Sequence, residues 1–339
     1  MSQRWKRALL RTAGGLGLAR AAHPIWGRSV NVLMYHYFEG SADDELVVPP
    51  TALRAQLREL RARYRLVGLT SAMDALFRGD DLSRRRCVAI SIDDVGDDFV
   101  RVAWPVFRDL GVPVTLAVCP GFAEDDEHAM LFGALHAHVR IAPGFANALA
   151  ALLGRDGLAY ADCFDALFHR STTELADIAA AMRVPHPMRE PRDLPGGLRL
   201  PVARFDALRQ IVEESHGLVE IGSHTMTHPV LSLIGGDWLR WEIETSRERI
   251  ARTFGACDLL FYPGGALPPA RELDAEGLLK AGYRHAFTAS AGLASERSDP
   301  FRIGRVAVLG GEGLGAFRTR AAAWPAVMRR ARAPIPATN

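Results

Sequence analysis

Two adjacent aspartates, Asp93 and Asp94, close the apolar run Cys87-Val88-Ala89-Ile90-Ser91-Ile92. A run this short and rich in β-branched residues, set after Arg84-Arg85-Arg86, reads as a strand buried on both faces. The carboxylates therefore stand at its C-terminal end. Neighbouring side chains leaving a strand point to opposite sides, so one carboxylate can hold a cation while the other moves a proton. Taken alone, such a pair is as readily a helix cap. The stretch Glu220-Ile221-Gly222-Ser223-His224-Thr225-Met226-Thr227-His228-Pro229 also follows an apolar run, and its two histidines stand four apart. They can meet one ion if the residues between them form a tight turn. With one aspartate they make a two-histidine, one-carboxylate set, which leaves positions open for water and substrate as a catalytic ion requires. Zinc is the expected ion, although cobalt, nickel or iron would suit the same donors.

The elements that must position these residues alternate along the chain. Val30 to Tyr35 reads as a first strand ending in His36-Tyr37-Phe38, and a helix follows over 52–64 with Leu53, Leu57, Leu60 and Tyr64 on one face. After the aspartates come a helix to Leu110, closed by Gly111, and a strand at Val114 to Val118. Helix 203–214, strand 218–221, helix 238–254, strand 259–262, helix 272–281 and strands 285–288 and 303–308 continue the order. Alternation of this kind argues for a parallel α/β sheet with right-handed crossovers. His36, Asp93, Asp94, His224 and Tyr262-Pro263 all follow strands in one sense, which puts them on one rim.

The two motifs and a third, Leu260-Phe261-Tyr262-Pro263-Gly264-Gly265, resemble those of the polysaccharide deacetylases, the NodB-homology group of carbohydrate esterases. Ser-Ile-Asp-Asp-Val at 91–95 is similar to that family's Thr-Phe-Asp-Asp-Gly, and Gly-Ser-His-Thr-Met-Thr-His-Pro at 222–229 matches its histidine motif. The resemblance spans about 30–124 and 204–308. It implies an irregular (β/α)7 barrel, a divalent metal cofactor, a carbohydrate substrate and removal of N-acetyl groups from N-acetylhexosamine units. By position it makes Asp93 the catalytic base and Asp94, His224 and His228 the metal ligands. Tyr262, Pro263 and Gly264 then border the substrate, with a backbone N–H near Gly264 for the oxyanion.

Three departures stand out. Val95 replaces the family's usual Gly, at a position where φ > 0 would strain a β-branched residue. Phe261 stands where many members have an Arg that orients the base. The C-terminal Leu-x-His motif is missing, since no His follows His285. Met34-Tyr35-His36 resembles the N-terminal segment of the poly-N-acetylglucosamine deacetylase branch, which makes His36 the general acid, helped by a nearby carboxylate that would keep it protonated. Arg305 is a polar candidate for substrate contact from the last strand. The alternative reading is a degenerate, non-catalytic member that binds a glycan or a glycosyltransferase partner.

Residues 124–200 interrupt the alternation with Ala- and Leu-rich helical segments at 129–139, 146–153 and 173–182 and no convincing strand. We expect a helical insertion on the rim that governs substrate access and can be excised. His128, His136, His138, His169 and His186 share no ligand spacing and are expected as surface or packing residues. At 339 residues and 48% hydrophobic content the chain has ample core, and a formal charge of +2 gives no reason to expect nucleic acid. Cys87, Cys119, Cys163 and Cys257 lack CxxC spacing and read as buried free thiols in a reducing, cytoplasmic setting. Residues 1–28 form a basic segment that could touch a membrane face peripherally, the deacetylase barrel occupies 29–310, and 311–339 is expected as a tail.

Overall fold

A computed structural model of the chain describes residues 28–323 apart from 42, 81–85, 125, 142, 186–191 and 194–197. The basic segment at 1–27, His186, the prolines at 187, 191 and 195, and the end of the tail lie outside the described residues.

The strands are β1 (Ser29–Tyr35), β2 (Arg65–Leu66), β3 (Cys87–Ile92), β4 (Val114–Val118), β5 (Arg192–Asp193), β6 (Arg199–Leu200), β7 (Val219–Ser223), β8 (Leu259–Phe261), β9 (His285–Phe287), β10 (Ala294–Ser295) and β11 (Val306–Ala307). One parallel run, in the order β11-β1-β3-β4-β7-β8-β9, makes up the body of the main sheet. The segment after β10 closes it: Ile303 bridges Phe287 of β9, and three residues later β11 pairs with Leu33 and Met34 of β1. This is the irregular α/β barrel. Every residue of β1, β3 and β4 is buried, as strands covered on both faces must be.

The α-helices of five residues or more are α1 (Pro50–Arg63), α2 (Leu69–Arg78), α3 (Trp104–Leu110), α4 (Glu127–Ile141), α5 (Pro143–Leu152), α6 (Thr172–Ala181), α7 (Phe205–Glu214), α8 (Gly236–Arg240), α9 (Ser246–Phe254), α10 (Ala275–Lys280) and α11 (Leu314–Ala321). In α1, Leu53, Leu57 and Leu60 are wholly buried on one stripe, each contributing about 1.5–3 kcal/mol of transfer free energy. Gly79 and Gly111 end α2 and α3 in the left-handed conformation. A π turn, Trp241–Thr245, joins α8 to α9, so the helix expected at 238–254 is present with one widened turn.

Residues 124–200 depart from expectation. Phe132, Leu135, Leu149, Phe164 and Leu175 belong to the same buried cluster as Ile92 and Trp238. Phe132 meets Trp238 edge-on at 5.6 Å and Trp241 at 5.7 Å. The insertion is thus part of the core, not an accessory on the rim. Two strands of two residues each, β5 and β6, also pair antiparallel where no strand was expected; strands this short leave no alternation to read. Beyond 310, α11 packs onto the barrel with Phe317 wholly buried, and Asn31 Nδ2 donates to the carbonyls of Arg320 and Ala321. Among the described residues no helix is long and apolar enough to cross a membrane. All four cysteines are free and buried.

Candidate metal centre

Asp94, His224 and His228 offer ligand atoms within 4.8 Å of one another. Asp94 follows β3, and both histidines lie on the loop leaving β7, so two strand ends on either side of β4 supply all three. Nδ1 of His224 lies 2.8 Å from the Phe261 carbonyl oxygen, which can only accept. Nδ1 therefore carries the proton and Nε2 presents a lone pair. That Nε2 lies 3.3 Å from Asp94 Oδ1, and Nε2 of His228 lies 3.2 Å from it. Neither approach is aligned as a hydrogen bond, and Asp94 Oδ1 is a buried oxygen without a hydrogen-bond partner. A carboxylate oxygen and two imidazole Nε2 atoms converging on one point fit a divalent ion. Burial pushes the Asp94 carboxyl up, but His228 and His224 hold it well below its usual value. Burial works against charge on His224, yet Asp94 and Asp93 raise it overall. Both directions express one demand for positive charge.

The backbone is bent to bring these groups together. Among described non-glycine residues with positive φ are Asp94 (54°), Thr225 (68°) and His228 (59°), a conformation that costs each about 1–3 kcal/mol. The position at issue in the aspartate motif is therefore Asp94 and not Val95, which is buried and accepts at its carbonyl from Ala203 N–H. A valine is tolerated because the left-handed residue precedes it.

Asp93 is not part of that set and is clamped by Arg305. Guanidinium Nη1 lies 2.5 Å from Oδ1 and Nη2 2.7 Å from Oδ2. Arg305 is wholly buried and also donates to Ser91 Oγ and to the Thr288 carbonyl. Its guanidinium lies 5.0 Å from the Phe261 ring centroid, so the orienting cation absent at 261 arrives over it from beside β11. Phe261 in turn needs Gly222 below it, since a Cβ there would lie 2.6 Å from the ring. Burial raises the Asp93 carboxyl, but Arg305, His224 and His36 bring it below its usual value overall. Arg305 is thus a buried partner of Asp93: four of its donors are engaged within the protein, and its burial leaves no surface for the substrate contact expected of it.

His36 directly follows β1 and couples to Asp93 and Asp94. Burial outweighs the two carboxylates and lowers its pKa, contrary to the expectation that a carboxylate would keep it charged. Tyr262 is also corrected: it is buried, and its hydroxyl donates to the Phe301 carbonyl at 2.9 Å, which leaves nothing for a substrate. Pro263 is likewise buried, whereas Gly264 is exposed on the turn after β8 with φ 59°.

Sequence reasoning missed three residues. Tyr37 donates to Asp94 Oδ2 at 3.1 Å and so orients that carboxylate. Asp98 Oδ2 accepts from the N–H groups of Phe38 and Glu39, pinning the turn that carries His36 and Tyr37. Glu242 is wholly buried beneath the histidine loop and accepts from Met226 N–H, Thr227 N–H, Thr227 O–H and Trp238 Nε1–H. Its signal was available: an acidic residue on the apolar face of a helix, one turn from Trp238 and Ser246.

No protein-family model matches the sequence, and no curated protein matches it either. Solved structures do match. The Streptococcus pyogenes deacetylase PplD in complex with acetate superposes with a TM-score of 0.55 at 15% identity, over 84% of this chain and 93% of that one. BC0361, a polysaccharide deacetylase from Bacillus cereus, gives 0.54 at 15% identity over 86% and 68%. A de-N-acetylase from Aggregatibacter actinomycetemcomitans gives 0.55 at 14% identity over 86% and 99%. The fold is that of the polysaccharide deacetylases. Identity at this level speaks to the fold alone.

Proposed function

We propose that the chain is a metal-dependent hydrolase that removes N-acetyl groups from N-acetylhexosamine units of a polysaccharide or lipid-linked glycan, nearest in kind to the poly-N-acetylglucosamine deacetylases. The observation that carries this reading is the division of labour between adjacent carboxylates. Asp94 faces the Nε2 atoms of two histidines, while Asp93 stands outside that set under a buried arginine. A divalent ion held by Asp94, His224 and His228 would polarise the amide carbonyl and lower the pKa of water toward about 7. Asp93, kept ionised by Arg305, takes the proton of the attacking water; each of its oxygens bonds the guanidinium through one lone pair and keeps another free. Tyr37 and Arg305 hold the two carboxylates in their separate orientations. Burial lowers the His36 pKa, so the proton that reaches the departing nitrogen is the one Asp93 took from the water, passed on through the His36 imidazole, which returns to its neutral form. The Gly264 turn borders the same rim and is the candidate oxyanion contact.

The test is metal content measured together with acetate release from an N-acetylglucosamine oligomer, on wild type, His224→Ala and His228→Ala after matched dialysis. Wild type should hold about one ion per chain and release acetate, and both variants should lose the ion. Metal binding without acetate release on any N-acetylated glycan would favour a non-catalytic glycan-binding role.

A further inference from the structure

Behind the histidine loop lies a buried polar chain that the reaction itself does not use. Tyr160 O–H lies 3.3 Å from His136 Nδ1, His136 Nε2 lies 2.9 Å from Thr227 Oγ1, and Thr227 O–H lies 2.5 Å from Glu242 Oε1. Glu242 can only accept when ionised, so the single hydroxyl proton of Thr227 goes to it. His136 Nε2 must then donate to Thr227, and His136 Nδ1 accepts from Tyr160, an assignment made from the hydrogen-bond network. With Glu242 ionised, each link has one direction. Glu242 Oε2 meanwhile takes the N–H groups of Met226 and Thr227 at 2.8 and 2.9 Å, the two residues between the histidines that precede His228. Backbone packing is equally close: a Cβ on Gly133 of α4 would lie 3.1 Å from Thr227 Cβ.

We propose that Glu242, reached from the insertion through Tyr160, His136 and Thr227, is a positioning residue that holds the 225–227 turn and thereby sets the affinity and geometry of the metal site through His228. This rests on the reading of Asp94, His224 and His228 as a metal centre. The physical reason is strain. Thr225 and His228 both have positive φ, a conformation that relaxes unless hydrogen bonds over-determine it, and Glu242 supplies those bonds from a π turn, a helix irregularity frequent at functional sites. Two of the four members of the chain, His136 and Tyr160, belong to the insertion, so the inserted helices act on the ligand loop instead of only bordering the substrate.

The experiment titrates Co²⁺ into the full-length chain and records both the dissociation constant and the visible absorption spectrum, which reports ligand geometry. Glu242→Ala should weaken Co²⁺ binding about 10–100-fold, the usual effect of removing an outer partner of a ligand group. Thr227→Val deletes one hydroxyl at nearly constant volume, severs the chain at its centre, and carries the test should Glu242→Ala not fold. It should weaken binding and shift the spectrum with circular dichroism unchanged. Glu242→Gln, which keeps an oxygen for the two N–H groups, should restore part of the affinity. Wild-type affinity and spectrum in both Thr227→Val and Glu242→Ala would overturn the proposal. A wild-type chain that takes up no Co²⁺ would overturn the metal centre itself, and this proposal with it.

Discussion

Asp93 and Asp94 are chemically identical neighbours, and their surroundings alone make them different. One meets imidazoles and a phenol, the other a guanidinium. Asp93→Asn should therefore keep the metal and lose roughly two to four orders of magnitude in turnover, the scale of a general base; inductively coupled mass spectrometry beside an acetate assay reads both, and loss of the ion would mean that the roles are reversed. Arg305→Met should be costlier to folding, about 3–5 kcal/mol, because it strands a buried carboxylate without its partner. Denaturant unfolding measures that figure, and the double variant Arg305→Met with Asp93→Asn should recover much of it. For His36 the discriminating comparison is His36→Ala on an N-acetyl amide and on an aryl acetate ester, whose leaving group needs little protonation. An acid role lowers the amide rate and spares the ester; an equal effect on both removes His36 from that role.

At the scale of elements, the strands and helices of the barrel were legible because each carries its own period. Four- to seven-residue apolar runs between 3.6-period segments allow one architecture, and α1, β3, β4 and β7 lie close to where the pattern puts them. The insertion was legible as helix but not as core. Nothing in an Ala- and Leu-rich helix says which apolar stripe it will meet, and the aromatic contacts of Phe132, Phe164 and Phe168 with Trp238 and Trp241 are made across more than seventy residues of chain. Replacing 124–200 by a short linker should accordingly abolish cooperative unfolding and metal uptake together, as followed by circular dichroism and Co²⁺ absorption. A folded product that still binds Co²⁺ would restore the view of an excisable rim.

At the scale of the whole molecule, two buried groups of the polar chain titrate against each other. Burial raises Glu242 from 4.5 to about 7, against hydrogen bonds from Thr227, Trp238 and Met226. Burial lowers His136 from 6.5 to about 3. Between 4.5 and 6.5 the native state keeps a proton on Glu242 that the unfolded chain has lost, so stability from this group falls as pH rises. Over the same range the native state lacks a proton on His136 that the unfolded chain has gained, so stability from this group rises with pH. The slopes oppose and cancel. In Glu242→Gln only the histidine slope survives. Its stability relative to wild type should fall as pH drops from 6.5 toward 4.5, at a limit of about 1.4 kcal/mol per pH unit. Urea midpoints of both proteins at pH 6.5, 5.5 and 4.5 check this; parallel lines would show that the two groups do not titrate on folding.

Residue types and strand-end placement, both properties of the linear chain, were enough to gather Asp93, Asp94, His224 and His228 into one candidate site. A carboxylate and two imidazoles after parallel strands share a rim whatever the details of packing. What the chain order could not decide is which side chains complete those four. Arg305 lies 212 residues from Asp93 and reaches it only because 303–307 closes the barrel between β9 and β1. Tyr262 follows a strand in the proper sense, yet its hydroxyl turns into the core toward Phe301. His136, one of five unremarkable histidines in an insertion, meets the ligand loop through Thr227. Side-chain direction and long-range closure are set by packing density and by the need of every buried polar group for a partner, and those conditions exist only once the tertiary structure has formed.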